Sequence, residues 1–354
     1  MPRTRKDKVG FLFIFFSFAG ALALVLAYIS VYLPPSRLSS VLMFFGLYFI
    51  PILFFNLLMF FIGLLRLKTM ALVTFTVMLP TLFYADFFIK LNQKEEIPQG
   101  QPFKILTYNV GQMRLSRDGT ESEANTGRIA VFLEQEQPGI VCLQEFSARD
   151  GAAYDSFADG FPFRHQYFFG SRRLIGNAVL SRYPIVDKGS IVFEVSHNMC
   201  IWADIEVPGG IVRVYNCHLQ SPTISFTSLI RRMAVKGALA SEVREVHEKL
   251  RVSNRQRALQ VEEILAHASQ CDYPVVICGD FNDTPVSHTY YRLHKGRKDS
   301  FAEAGKGFGA SYSYLWPLLR IDYILLPKEF TAFRNEIKRE KYSDHFPVST
   351  YIYR

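Results

Sequence analysis

Hydrophobic positions divide the chain into two regimes. Up to about residue 90 they come in unbroken runs, at about 11–33, 41–65 and 69–89, each close to the roughly 20 residues that cross a bilayer core of about 30 Å. None carries a charge at its centre; Asp86 and Lys90 fall near the end of the third. A soluble helix needs a polar face, and Phe11 to Leu33 has none, so the pattern predicts a membrane domain over 1–90 with three transmembrane helices. A cleaved signal peptide is the other reading of the first run. Its length and the missing small-residue cleavage pattern speak against that. Pro51 and Pro80 interrupt the second and third runs, which membrane helices tolerate.

From residue 103 to 354 the apolar runs shorten and end in polar residues. Phe103 to Tyr108 alternates as a strand does and delivers Asn109; Ile140 to Gln144 delivers Glu145; Gly176 to Ser181 carries Asn177. Ile211 to Cys217 delivers His218, Tyr273 to Ile277 delivers Asp280 and Asn282, and Arg320 to Leu325 carries Asp322. Tyr342-Ser343-Asp344-His345 leads into a last strand, Phe346 to Tyr353. Helical patterns lie between, at Arg128 to Gln135 and most clearly at Ser253 to Ala268. Strands alternating with helices predict an α/β domain over 103–354. The stretch 91–102, polar with two prolines and a glycine, reads as a linker.

Charge changes the picture less than its total suggests. The formal net charge is +8, yet residues 1–102 hold nine Lys/Arg against four Asp/Glu, leaving only about +3 on the rest. A non-specific duplex binder should carry a strong basic footprint on its soluble part. The five cysteines show no zinc-ligand spacing, and an odd number fits no disulfide framework, so they read as buried thiols. Basic residues also set orientation. Four precede the first span, the first loop holds Arg37, and the second holds Arg66 and Lys68. The expected topology is an inner N-terminus, with everything after residue 90 on the outer, periplasmic face of the cytoplasmic membrane.

Asp280 and Asn282 stand two apart after a strand, so in extended chain they face one point. Other strand ends supply partners. Glu145, Asp280 and Asp344 offer carboxylates, and Asn109 and Asn282 offer amide oxygens. All-oxygen sets suit a hard cation, Mg²⁺ or Mn²⁺ in its place. His218 and His345 add acid/base capacity, and Asp322 is the candidate to fix the tautomer and charge of His345. Metal, oriented water and histidine are the parts that hydrolyse a phosphate ester. Singly each has a plainer reading: Asn109 as a strand-end cap, His218 as a satisfied core histidine, Asp280-Phe281-Asn282 as a turn.

The order TYNVG (107–111), VCLQEF (141–146), GNAVLSRYPI (176–185), NCHLQS (216–221), VVICGDFNDTP (275–285), RIDYIL (320–325) and YSDHFPV (342–348) resembles the exonuclease–endonuclease–phosphatase superfamily of metal-dependent phosphoesterases. The resemblance covers nearly all of 103–354 and none of 1–100. It implies a four-layer α/β sandwich, two packed mixed sheets with helices outside. It implies Glu145 as the main metal ligand with Asn109 assisting and Asp344 in the outer shell. Asp280 would orient or activate the attacking water, with Asn282 holding the water or the phosphate. His345, paired with Asp322, would act as base or phosphate contact. His218 would steady the phosphoryl oxygens or protonate the leaving group, and Asn177 would lie among the substrate contacts.

The expectation is therefore a membrane-anchored phosphodiesterase or phosphomonoesterase acting on a lipid head group or a nucleotide-like ester, with the lipid bilayer as partner. An anchored nuclease and a non-catalytic binding domain are the alternatives, and nucleic acid is the less favoured partner. Residues 231–257 carry eight Lys/Arg against three Glu. That segment reads either as a solvated basic surface helix or as a docking element around Arg231, Arg232 and Lys236.

Overall fold

The structure, a computed structural model, describes residues 5–36, 39–96, 100–113, 122–147, 160–169, 175–194, 196, 198–222, 224 and 239–354. Arg231, Arg232 and Lys236 lie outside them. The chain divides into two units, Met1–Asp86 with Asp283–Tyr291, and Phe87–Asn282 with Arg292–Arg354.

The first unit is helical. Its elements are α1 (Arg5–Ser30), α2 (Met43–Leu47), α3 (Phe49–Arg66), α4 (Lys68–Met78) and α5 (Leu82–Phe88), the last running past the boundary. Gly10–Ser30, Phe49–Arg66 and Lys68–Phe88 are long and apolar enough to cross a membrane. The second begins later than the apolar run from Val41 suggests, because the chain first makes a 3-10 turn and α2. Pro51 falls in the first turn of α3, where no N–H is needed and proline costs little. Pro80 breaks the third span into α4, a 3-10 turn and α5. Only Leu67, with extended backbone, separates α3 from α4. A Cβ on Gly63 would lie 2.9 Å from Ala71 N, so the small residue lets the two backbones approach. Asn56, fully buried, donates its amide to Gly20 O and Ile52 O at 2.9 Å each.

This unit also takes in Asp283–Tyr291, the chain that follows Asn282. His288 Nδ1 lies 3.1 Å from Val31 O, and the Tyr291 ring meets Tyr32 edge-on at 4.9 Å. Val286 O packs where a Cβ on Gly46 would stand, 2.3 Å away. Nothing in the apolar pattern signals that a segment so distant in sequence joins the helices.

The second unit holds two six-stranded sheets. The first runs β13 (Thr331–Ile337), β14 (Val348–Tyr353), β2 (Phe103–Asn109), β3 (Ile140–Ser147), β5 (Ile175–Ser181), β4 (Phe163–Phe169). The second runs β10 (Arg297–Asp299), β12 (Asp322–Pro327), β9 (Val275–Asp280), β8 (Gly210–His218), β7 (Met199–Val207), β6 (Ile185–Val192). Each is mixed: β2–β3 and β8–β9 pair parallel, their other neighbours antiparallel. Alternate residues of β2 enter different cores. Phe103 and Ile105 meet Val214, Val276 and Ile324 between the sheets. Leu106 and Tyr108 meet Ile129, Phe132 and Leu133 of α6 (Ser122–Glu136) on the outer face. That strand is buried on both faces along its whole length, Lys104 and Thr107 included. On the second sheet, α7 (Leu239–Ala268) sets His267 against Trp202 and Tyr215. Helix, sheet, sheet, helix makes the four-layer sandwich.

Two boundaries differ from the sequence reading. The helix expected at 253–268 and the apolar spacing from Leu239 to Leu250 form one helix of 30 residues. The start of the stretch read as a linker pairs with the second unit: β1 (Ile89–Lys90) pairs with β11 (Gly307–Phe308), Lys94 O accepts from Arg334 N at 2.8 Å, and Gln93 donates to Asn335 O at 3.1 Å. Backbone pairing of this kind does not depend on side-chain polarity, which is why composition hides it.

Candidate active site

Strand register assembles the site at one end of the second sheet. His218 on β8 pairs with Asp280 on β9, and Asp280 with Asp322 on β12, placing the three in one cross-strand row. In the facing sheet, β2 and β3 pair Asn109 with Gln144. Beyond Leu143 the ladder with β5 shifts register, and Glu145 takes a positive φ of 50°. This bulge lets Glu145 depart from the in–out alternation and face the site. Asn282 also has a positive φ, 53°, a conformation its short polar side chain tolerates.

Asp280, 1% exposed, is the hub. Its Oδ2 accepts from Asn109 Nδ2 at 2.9 Å and Asn282 Nδ2 at 3.1 Å, and its Oδ1 from the Asn282 N–H at 2.8 Å. His345 Nε2 and His218 Nε2 stand 3.7 and 3.9 Å from that same Oδ2. Glu145 Oε1 lies 3.7 Å from His218 Nε2 and accepts from Asn109 Nδ2 at 3.3 Å. His345 Nδ1 is bonded to Asp322 Oδ2 at 2.9 Å. Ser311 Oγ accepts the backbone N–H groups of Ile321 and Asp322 and so fixes that carboxylate.

Burial is the largest influence on Glu145, His218, Asp280 and His345. It raises the Asp280 carboxyl to about 6, with Asp322 adding to the rise and the two histidines opposing it. It also raises Glu145 and lowers His218. Burial would lower His345 too, but Asp322 and Asp280 outweigh it and hold the imidazolium well above its usual range. Burial thus favours the neutral form of His218, while the two carboxylates favour the charged form of His345.

Asp280, Asp322 and His345 offer ligand atoms within 4.8 Å of one another. His345 is a poor ligand, however, because its charge is held by Asp322 and a ligating imidazole must be neutral. Glu145 and Asp280 fit a hard cation better: two carboxylates share one amide donor, and burial disfavours the charge on each until a cation compensates it. Asp344, whose Oδ1 accepts from Ser343 Oγ at 3.2 Å, adds a third carboxylate whose charge reaches Glu145. Among the described residues, the buried atoms without a hydrogen-bond partner include His218 Nε2 and Asp322 Oδ1. His218 is therefore not a satisfied core histidine.

Asn109 is the strand-end cap of its plainer reading, and it turns its amide nitrogen, not the oxygen expected for a cation, toward the carboxylates. Its Oδ1 caps the Gly111 N–H at 3.1 Å while its Nδ2 bridges the two carboxylates. To offer its oxygen to a cation the amide would have to turn over and give up Gly111. Asn177, 1% exposed, donates across the sheets to Asn216 O at 3.1 Å, two residues before His218. Asn216 answers by donating to Leu143 O and Ala178 O, and accepts from Gln144. These amides pin the sheets together beneath the site.

Residues outside the predicted site set complete it. The Tyr312 ring meets the His345 ring edge-on at 5.2 Å, Ser343 Oγ donates to Asn109 O at 2.8 Å, and Gln112 bonds Glu145. Tyr312 and Ser311 lie in a loop with no periodic pattern, so only the fold reveals them. Of the basic segment, Arg257 is buried and donates to Gln220 O at 2.8 Å, whereas Lys249 and Arg251 pair with glutamates on the surface of α7.

Comparison with known proteins bears on the family and the fold. Residues 106–345 match the model of the Endonuclease/Exonuclease/phosphatase family. The uncharacterized protein YbhP of Escherichia coli (strain K12) is 26% identical over 275 residues, covering 71% of this chain and 96% of that one. An endonuclease/exonuclease/phosphatase family protein from Leptotrichia buccalis C-1013-b superposes with a TM-score of 0.52 at 17% identity, over 71% of this chain and all of that one. Humanized D. rerio TDP2 carrying 14 mutations gives a TM-score of 0.52 at 16% identity, over 72% and 100%.

Proposed function

The chain belongs to the endonuclease/exonuclease/phosphatase family, and from that premise we propose that it is a membrane-anchored, Mg²⁺-dependent phosphoesterase acting on the ester of a lipid head group or a nucleotide-like compound. The observation that carries this reading is the convergence of His218 and His345 on Asp280 Oδ2, beside Glu145. Glu145 would hold the cation with Asp344 behind it, and the bound ion would supply Lewis-acid charge to the phosphoryl oxygens.

The remaining work falls to this chain's own groups. Asp280, with a pKa near 6, takes a proton readily at neutral pH and sits where it can orient and deprotonate the attacking water. Asn109 and Asn282 fix its carboxylate, so its orientation is set before substrate arrives. His345 donates Nδ1–H to Asp322, leaving Nε2–H to bond a phosphoryl oxygen as charge builds there. His218, neutral and with Nε2 unpaired, is suited to the leaving-group side.

Three candidate spans and the basic N-terminus support an anchored enzyme whose site faces outward. The small net charge of residues 103–354 is the feature against an anchored nuclease that tracks long nucleic acid.

The test uses the full chain in detergent micelles and bis(para-nitrophenyl) phosphate. EDTA should abolish turnover, and Mg²⁺ or Mn²⁺ should restore it. Asp280→Asn and His345→Ala should each lower turnover by at least about 10²-fold, the scale of one acid/base group, and Glu145→Gln should raise the metal concentration required. Full activity in EDTA, or in these variants, would sink the assignment.

A further inference from the structure

Where the third span ends, the second unit carries an apolar surface. Phe87 is that unit's first residue and Phe88 the last of the span-length helix. The chain then pairs Ile89 with Phe308 through β1 and β11. The Phe308 ring meets Trp316 edge-on at 5.7 Å, and the backbone turns through Trp316 N to Ser313 O and Leu318 N to Leu315 O. Leu91, Phe308, Trp316 and Leu318 are 82%, 48%, 41% and 46% exposed, with Ile89 and Leu315 also open to solvent. Large apolar groups gathered on one face of a soluble domain mark a contact surface.

The same loop reaches the catalytic histidine. Tyr312 bridges to His345, and Ser313 N donates to Asp344 O at 2.8 Å. A 3-10 turn, Ser313–Leu315, connects that contact to Trp316. The loop is thus tied to the site through Tyr312, and in the chain Ile89 directly follows the membrane-length helix.

We propose that this loop, with Phe308 and the chain around Ile89, docks in the bilayer where the third span leaves it, so that the site takes a phosphoester whose apolar portion stays in the leaflet. The proposal rests on the phosphoesterase reading above and narrows its substrate to a membrane lipid. Two features favour the bilayer over a protein partner. Ile89, paired with Phe308, follows a membrane-length helix in the chain without a break. The surface's aromatic member is also a tryptophan, with the exposed Arg339 guanidinium 5.0 Å over the ring. Tryptophan beside a basic group is the composition of the interfacial belt, where the ring lies at headgroup depth and the cation meets anionic lipid.

The protein has two tryptophans, so Trp202→Phe leaves Trp316 as sole reporter. The full chain is reconstituted into vesicles of phosphatidylcholine and phosphatidylglycerol, with or without bromine on the acyl chains near the headgroup. Brominated lipid should quench Trp316 at least about twofold, and aqueous iodide should quench it little, as for a ring at headgroup depth. The pair Leu315→Ser and Leu318→Ser should lower kcat/KM on vesicle phospholipid about tenfold or more by removing that apolar contact. Turnover of soluble bis(para-nitrophenyl) phosphate should hold within about twofold, because the pair leaves the acid/base groups intact.

Quenching by iodide and not by brominated lipid overturns the proposal. Quenching by neither means that protein covers the face, which also overturns it. Equal losses on vesicle and soluble substrates reject the lipid substrate. Inactivity of the parent on every ester sinks the phosphoesterase reading alone, since the quenching is read without catalysis.

Discussion

His345 owes its charge to what surrounds it. Burial pulls its pKa down, and the Asp322 and Asp280 carboxylates push it well above the usual value. Asp322 also helps raise Asp280, so one anion sets both ends of the working pH range. If turnover needs Asp280 deprotonated and His345 protonated, Asp280 governs the acid limb and His345 the alkaline one. Removing the Asp322 charge takes away a stabiliser of the imidazolium, so the His345 pKa falls. It also removes a repulsion on Asp280, whose pKa falls as well. Asp322→Asn should therefore move both limbs of the pH–rate profile to lower pH, the alkaline limb by about one unit or more. A profile of unchanged position, merely scaled down, would mean that Asp322 acts by packing and not by charge.

Among the elements, β8, β9 and β12 matter most, because their register lines up His218, Asp280 and Asp322. Gly279 makes the close pairing possible. Its φ is +128°, and a Cβ there would lie 2.0 Å from the Cys217 carbonyl on β8. Gly279→Ala should cost about 2 kcal/mol or more through strain and displacement of β8, with turnover falling because Asp280 is the next residue. Gly296 also has positive φ, +82°, but nothing stands within 4 Å of its Cβ position. Gly296→Ala should therefore lower the thermal midpoint by less and leave turnover intact; equal losses in the two variants would refute the steric account. The strands that carry this row were legible in the sequence because each is a short apolar run stopping at a polar residue. The edge strands β4, β6 and β13 were not. Half-exposed, they mix apolar and polar residues without a clear end. Glu145 was found from its motif, but the bulge that aims it belongs to the pairing with β5 and leaves no trace in residue type. The same holds for Ser311 and Tyr312, which reach Asp322 and His345 through tertiary contacts alone.

For the molecule as a whole, the sequence divides plainly into apolar spans and an α/β domain, yet the structural division does not follow chain order. Asp283–Tyr291 belongs with the helices although it lies deep within the 103–354 stretch. Its residues Asp283 to Tyr290 are all buried, with His288 on Val31 O and Tyr291 on Tyr32. The segment also continues directly from Asn282, which positions Asp280 through three hydrogen bonds, two to Asp280 and one from Nδ2 to Leu219 O at 3.0 Å. A fragment beginning at Phe87 would keep both sheets and every motif residue. It would, however, uncover Val286 and Tyr290, now 1% and 2% exposed, and each apolar side chain so uncovered forfeits about 1.5–3 kcal/mol. The fragment should therefore unfold at a lower temperature than the full chain in detergent. Its kcat on a soluble phosphodiester should fall by more than its KM rises, because the loss lies in the placement of Asp280 and not in access to the site. Differential scanning fluorimetry and initial-rate kinetics on the two proteins side by side provide the check. A fragment with the parent's thermal midpoint and kcat would show that the helices serve as an anchor alone.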